Sequence, residues 1–177
     1  MSRAKFVAQV SLLIATGVTL RMVKHLLVGP LQFVNLPLSM TMIAGYLAGS
    51  VAGLSVGIIT FILSDLLLGF GLWTIYNSLV SGAIGFLWGL LREVRCWTVL
   101  FVLSYISTLV YDIITSIVFY LTFMSTSDLH LVLTIALLGL FVPVAGGSFY
   151  AIGPVTEALT AFLTSVIAKR VKQALGG

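Results

Sequence analysis

The side chains able to do chemistry in this sequence are few, and they stand inside apolar stretches. Asp65, Asn77, Asp112 and Glu157 each lie in a separate run rich in Leu, Ile, Val and Phe, and Arg21 lies in a fifth. Carboxylates and a carboxamide in such surroundings can hold a hydroxyl-rich or cationic ligand, relay a proton or pair with a cation. The usual reactive sets are missing. A serine nucleophile needs a histidine facing it inside the bundle, and both His25 and His130 fall at the ends of their segments. The same placement argues against bis-histidine haem ligation. Cys96 is the single cysteine, which rules out an internal disulfide or a zinc cluster. There is no phosphate-binding loop of the Walker type. The sequence therefore predicts a protein that is not an enzyme, with no catalytic residues, no cofactor and no bound metal.

The elements that position these residues follow from composition. Of 177 residues 60% are hydrophobic and 8% charged, against about 25% charged in ordinary soluble domains. So little polar surface cannot cover a water-exposed body, and the solvent for most of the outside must be lipid. The apolar runs are long and do not alternate strictly, which excludes an outer-membrane barrel and leaves helices. Glycines, prolines and charges then divide the chain into spans over about residues 4–27, 36–49, 51–68, 74–91, 97–124 and 147–168. A shorter interfacial segment is expected over about 129–142, and Pro154 is expected to kink the last helix or mark its true start. The fold class is an all-α integral membrane protein, a single six-helix transmembrane domain. The run after Arg3 and Lys5 is read as the first span, not as a leader.

Charge placement gives the orientation. With six spans, Arg3, Lys5, Arg92, Arg95, Lys169, Arg170 and Lys172 fall at one end, and Arg21 and Lys24 at the other. Seven against two predicts that both termini are cytoplasmic. The net charge of +4 thus reflects topology. No basic patch interleaved with aromatics of the kind that grips nucleic acid is present.

Depth then brings the polar residues together. Counting about 1.5 Å per residue from the cytoplasmic ends, Asp65, Asn77 and Asp112 lie about 21–22 Å in and Glu157 about 18 Å, with Arg21 further out at about 25 Å. A carboxylate facing lipid at such a level costs roughly 2.5–3.5 kcal/mol. The acids should therefore face the interior. Taken singly, each could be packing glue: Asp112 on Arg21, Glu157 on a nearby hydroxyl, Asp65 at a helix end. Shared depth favours a ligand cavity. Trp73, Tyr76, Tyr111 and Tyr150 flank the layer and could stack on a flat ligand or hold a cation, although aromatic belts at the interface have the same composition. A second pattern, Gly45-Gly49-Gly53-Gly57 at four-residue spacing, allows close helix approach, either inside the bundle or against a partner.

Several stretches carry a family resemblance. Gly29-Pro30-Leu31-Gln32-Phe33-Val34-Asn35-Leu36-Pro37-Leu38 leads into Ala44-Gly45-Tyr46-Leu47-Ala48-Gly49, then through Gly53 and Gly57 to Ser64-Asp65-Leu66-Leu67. Gly71-Leu72-Trp73-Thr74-Ile75-Tyr76-Asn77 and Tyr111-Asp112-Ile113-Ile114-Thr115 follow. Together they resemble the S components of energy-coupling factor (ECF) transporters, the substrate-capturing subunits for vitamins and related micronutrients.

The resemblance implies six helices around a pocket near the outer face, covered by the loops after helices one, three and five, the first of which contains Asn35. It also implies docking of helix one, where Ala4 and Ala8 match an Ala-x-x-x-Ala element, onto a transmembrane T component. Import would be driven by two ATPase subunits on other chains. The substrate-binding set is then Arg21, Asn35, Asp65, Trp73, Tyr76, Asn77, Tyr111, Asp112, Tyr150 and Glu157, and the docking set is Ala4, Ala8, Gly49 and Gly53. The implied location is the plasma membrane of a prokaryote, with lipid around it and no nucleic-acid partner. Three acids against one arginine favour a neutral, hydroxyl-rich or cationic ligand over a dianion. A solitary proton-coupled transporter and a scaffold of cell-wall morphogenesis are the other readings.

Overall fold

The computed structural model describes residues 3–28, 33–123, 128–139 and 153–174. Among the described residues the chain is helical throughout, with seven α-helices and no strand. They are α1 (Arg3–Val28), α2 (Leu36–Ala48), α3 (Ser50–Leu68), α4 (Leu72–Trp88, continued by a 3-10 turn Gly89–Leu91), α5 (Trp97–Phe123), α6 (Leu129–Gly139) and α7 (Gly153–Ala174).

The centre is α2. Every residue from Pro37 to Tyr46 is buried, as expected for a helix that is apolar on all sides. Its start is fixed by Asn35, whose Oδ1 accepts the Leu38 N–H at 3.1 Å, and by Pro37 in the first turn, where a missing N–H carries no penalty. Its end is Gly49, at φ +99°, a conformation that suits glycine and turns the chain straight into α3. On one side α2 meets α7 through hydroxyls: the Asn35 N–H donates to Thr160 Oγ1 at 2.9 Å, and Ser39 and Thr164 share a hydrogen bond of 2.5 Å.

The closest pairing is between α3 and α4. A Cβ on Gly57 would lie 2.7 Å from the Gly82 nitrogen, and one on Gly53 would fall onto the Gly85 carbonyl. Gly45 and Gly89 are equally tight, against the Gly85 carbonyl and the Ser50 backbone. Bare backbones in contact are how helices gain dispersion energy where lipid is as apolar as leucine. Farther along, α4 ties to α5 through Trp88 Nε1–H donating to Ser107 Oγ at 2.9 Å, and α6 packs Val132 and Ala136 against Tyr120 of α5. Asp128 caps α6 by accepting the His130 and Leu131 N–H groups.

The outer faces remain apolar, with Leu12, Leu26, Leu67, Leu79 and Leu90 well exposed, as lipid-facing positions require. Among the described residues four helical stretches are long and apolar enough to cross a membrane: Arg3–Leu27, Ser50–Leu68, Leu72–Leu91 and Trp97–Phe123. Of the other two expected spans, α2 is short, at 13 residues. The second, α7, differs from expectation at both ends. It is described from Gly153, with Pro154 in its first turn, and residues 147–152 lie outside the described residues. At its C-terminus it runs through Lys169-Arg170-Val171-Lys172 to Ala174, because Lys and Arg are good helix formers and favourable in a last turn. The expected interfacial segment contains α6, and its residues 140–142 are outside the description.

Candidate functional site

The polar layer resolves into two adjoining groups. In the first, α1 meets α3: Arg21 Nη1 lies 2.7 Å from Asp65 Oδ1. The same nitrogen donates to the Ser64 hydroxyl, and the guanidinium sits 5.2 Å from the centre of the Phe61 ring. Phe61 in turn packs on Tyr111 of α5, with ring centroids 5.7 Å apart. Residues 61, 64 and 65 share a face of α3 because they are one turn apart. Lipid forces that face inward, and Asp65 is accordingly buried to 1% exposure. The pairing corrects the alternative in which Arg21 binds Asp112. Asp65 also does more than close its helix: its backbone carbonyl accepts the Gly69 N–H while its carboxylate takes the arginine.

The second group joins α5 to α7. Asp112 lies within electrostatic reach of Glu157, and the Tyr105 hydroxyl is directed at the Glu157 carboxylate. Tyr105 and Asp112 are seven residues, two turns, apart and so occupy one face of α5. Tyr111 links the groups, being within electrostatic reach of Asp112, Arg21, Asp65 and the Tyr76 hydroxyl of α4.

Three buried oxygens have no hydrogen-bond partner among the described residues: Asp65 Oδ2, Glu157 Oε1 and Thr60 Oγ1. An unsatisfied buried polar atom costs about 1–3 kcal/mol. Two of the three are carboxyl oxygens, and each offers an acceptor to a hydroxyl or amine donor. Among the described residues no three His, Cys, Asp or Glu side chains come close enough to hold a metal ion.

The remaining predicted residues are placed as follows. Asn77 is half-buried on α4, one residue beyond Tyr76. Trp73 is 38% exposed at the start of that helix, with its ring 6.4 Å from Phe123 of α5. Asn35 is buried, and its side-chain oxygen is taken by the cap of α2. Tyr150 lies outside the described residues. In the docking set, Ala4 and Ala8 are exposed on α1 and Gly49 forms the turn between α2 and α3. Gly53 requires correction: it is buried against the Gly85 backbone, so it serves the α3–α4 contact and has no face to offer a partner. Sequence reading missed Phe61, Ser64 and Tyr105, although Phe61 stands one turn before Asp65, Tyr105 two turns before Asp112, and Ser64 next to Asp65.

Among the described residues, helices with lipid-facing outer surfaces and a polar layer drawn from α1, α3, α5 and α7 define a membrane-embedded protein with an internal polar site. A family model of the ECF-type riboflavin transporter, S component, matches residues 1–155, which takes in α1 to α6 and the first residues of α7. The chain belongs to this family of transporter S components, as the stretch from Gly29 to Asn77 implies. Comparison with curated proteins and with solved structures gives no match.

Proposed function

We propose that the chain captures riboflavin at the outer side of a prokaryotic plasma membrane and serves as the S component of an ATP-driven importer. The unsatisfied carboxylate oxygens of Asp65 and Glu157, buried beside Tyr111, Asp112 and Tyr105, carry this reading. Riboflavin is uncharged near neutral pH and bears a chain of hydroxyl donors and a flat ring system. Hydroxyl donors suit these acceptor oxygens, and the flat ring suits the aromatic surroundings supplied by Tyr76, Tyr111 and Trp73. Asn77 and Asn35 complete the proposed ligand shell, with Tyr150 from the segment before α7.

Arg21 is already matched by Asp65, so among the described residues this layer has no unmatched arginine to receive a phosphate. A phosphorylated flavin would bring a dianion there without a counter-charge and should be rejected. The topology that goes with this role has six spans, with α2 as a short buried one and both termini cytoplasmic, as the seven-to-two distribution of basic residues favours. Ala4 and Ala8, exposed on α1, would meet a T component, and two ATPase subunits on other chains would supply the energy.

Riboflavin fluorescence provides the test. Titration with purified protein in detergent should quench the flavin saturably at one molecule per chain. The phosphorylated flavin should bind at least about 10-fold more weakly, the equivalent of about 1.4 kcal/mol. Absence of quenching by riboflavin would dismiss the substrate, and equal binding of the phosphorylated form would dismiss the charge argument.

A further inference from the structure

A second feature lies at the opposite end of the bundle, where the turn after α4 meets the last turns of α7. Lys172 donates to the Arg92 carbonyl and covers the Tyr46 ring at 4.7 Å, while Tyr46 itself donates to the Val94 carbonyl at 2.6 Å. These contacts fix the C-terminal end of α7 against the loop. Beside them open two cavities. One, of about 350 Å³, is lined by Trp97, Val166, Lys169, Arg170 and Gln173. The other, of about 160 Å³, is lined by Tyr46, Arg95, Lys169, Lys172 and Gln173. Lys169 and Gln173 belong to both, so the two are adjoining lobes of one recess.

The segregation of basic residues to one side explains why these charges are at this end. It does not explain why they line a concavity. Like charges brought from residues 95 and 169–172 to one recess repel, and none of the lining residues is acidic. Among the described residues no carboxylate is placed in an ion pair with Arg95, Lys169, Arg170 or Lys172. The recess also has an apolar wall. Trp97, the first residue of the long apolar α5, stacks on Phe101 at 5.6 Å, and with Val166 it faces the cations. Tryptophan at the start of a span marks the level of the lipid headgroups, and basic pockets between helices at that level hold anionic headgroups.

We infer that this recess binds the phosphate of an anionic phospholipid, with Lys169 and Arg170 at the phosphate, Gln173 donating beside it, and Trp97 and Val166 against the glycerol and upper chain. This lipid site is independent of the flavin reading, because none of its residues belongs to the acidic layer.

Native mass spectrometry of the full, delipidated chain offered phosphatidylglycerol or phosphatidylcholine tests it. The wild-type protein should retain phosphatidylglycerol as a discrete one-to-one adduct and should not retain phosphatidylcholine. K169Q/R170Q should weaken retention about 30-fold, from about 1 kcal/mol per basic residue near the membrane surface. R3Q/K5Q, which removes the same charge from the same end, should leave it unchanged. Equal retention of the two lipids by wild-type protein would overturn the inference without recourse to any variant. So would equal losses in the two double variants, which would reduce the effect to general surface charge. Complete displacement of the lipid by millimolar inorganic phosphate would assign the recess to a soluble anion instead.

Discussion

The ion pair between Arg21 and Asp65 permits the sharpest test of how the polar layer is held. The perturbation is Asp65→Asn, which keeps the shape and one acceptor oxygen but removes the charge. Asp65 has a side chain 2% exposed and Arg21 one 22% exposed. Two unit charges about 4 Å apart attract by about 4 kcal/mol at the effective dielectric that suits protein sites. The partial exposure of Arg21 lets its guanidinium lean outward and recover some hydration, so the coupling should be nearer 2–3 kcal/mol than 4.

The single substitution has a larger effect than the coupling alone, because it leaves a cation half-buried without its counter-ion. Breaking a buried pair from one side typically costs about 3–5 kcal/mol, and the exposure of Arg21 places this case at about 3. For a chain of this length that is a fall in thermal midpoint of about 6–12 °C. The assay is thermal unfolding in detergent of Asp65→Asn, Arg21→Gln and the double variant, read as a double-mutant cycle. The double variant should be more stable than the sum of the single losses predicts, by about 2–3 kcal/mol. If the single losses add to within about 0.5 kcal/mol, the two side chains are not coupled. The layer would then be held by packing alone.

Three further outcomes follow from the same contacts. Glu157→Gln should weaken riboflavin binding about 10-fold or more, since a hydrogen bond to a charged group is worth about 1.5–3 kcal/mol; isothermal titration would read it, and unchanged affinity would remove Glu157 from the ligand shell. Gly53→Ala should destabilise the fold by about 1–3 kcal/mol, because its new methyl meets the Gly85 backbone, which cannot rotate away; an unchanged thermal midpoint would mean that α3 and α4 are not in backbone contact. Ala4→Leu with Ala8→Leu adds bulk on an exposed face and should leave riboflavin binding and thermal stability intact. Uptake by cells carrying the complete transporter should fall, and normal uptake would move the docking face elsewhere.

What the sequence makes legible is set by what lipid enforces. A charge-free run from His25 to Ser64 must fold into helices that satisfy their own backbone. Gly49 and the Asn35-Leu36-Pro37 step therefore reveal the limits of α2 with little room for error. Depth is legible for the same reason, since rise per residue is fixed. Azimuth is not. Knowing that Asp65, Asp112 and Glu157 share a level does not say which of them Arg21 will meet, and the level alone allowed Asp112. The choice is made by the α3 face that presents Phe61, Ser64 and Asp65 together, so that the guanidinium gains a ring, a hydroxyl and a carboxylate at once.

The glycines show the same limit and also how it could be narrowed. Spacing alone on α3 leaves open whether Gly53 faces a partner or a neighbour. But α4 carries Gly82 and Gly85, and the turn after it Gly89, in the register that descends as α3 rises, and two antiparallel helices joined by the short turn at Gly69-Phe70-Gly71 bring small residues at matching depths opposite one another. Gly57 then meets Gly82, and Gly53 meets Gly85. A small-residue stripe that finds its complement on the next helix is consumed inside the bundle. One without a complement, such as Ala4 and Ala8 on the exposed face of α1, is the better candidate for a surface that meets another chain.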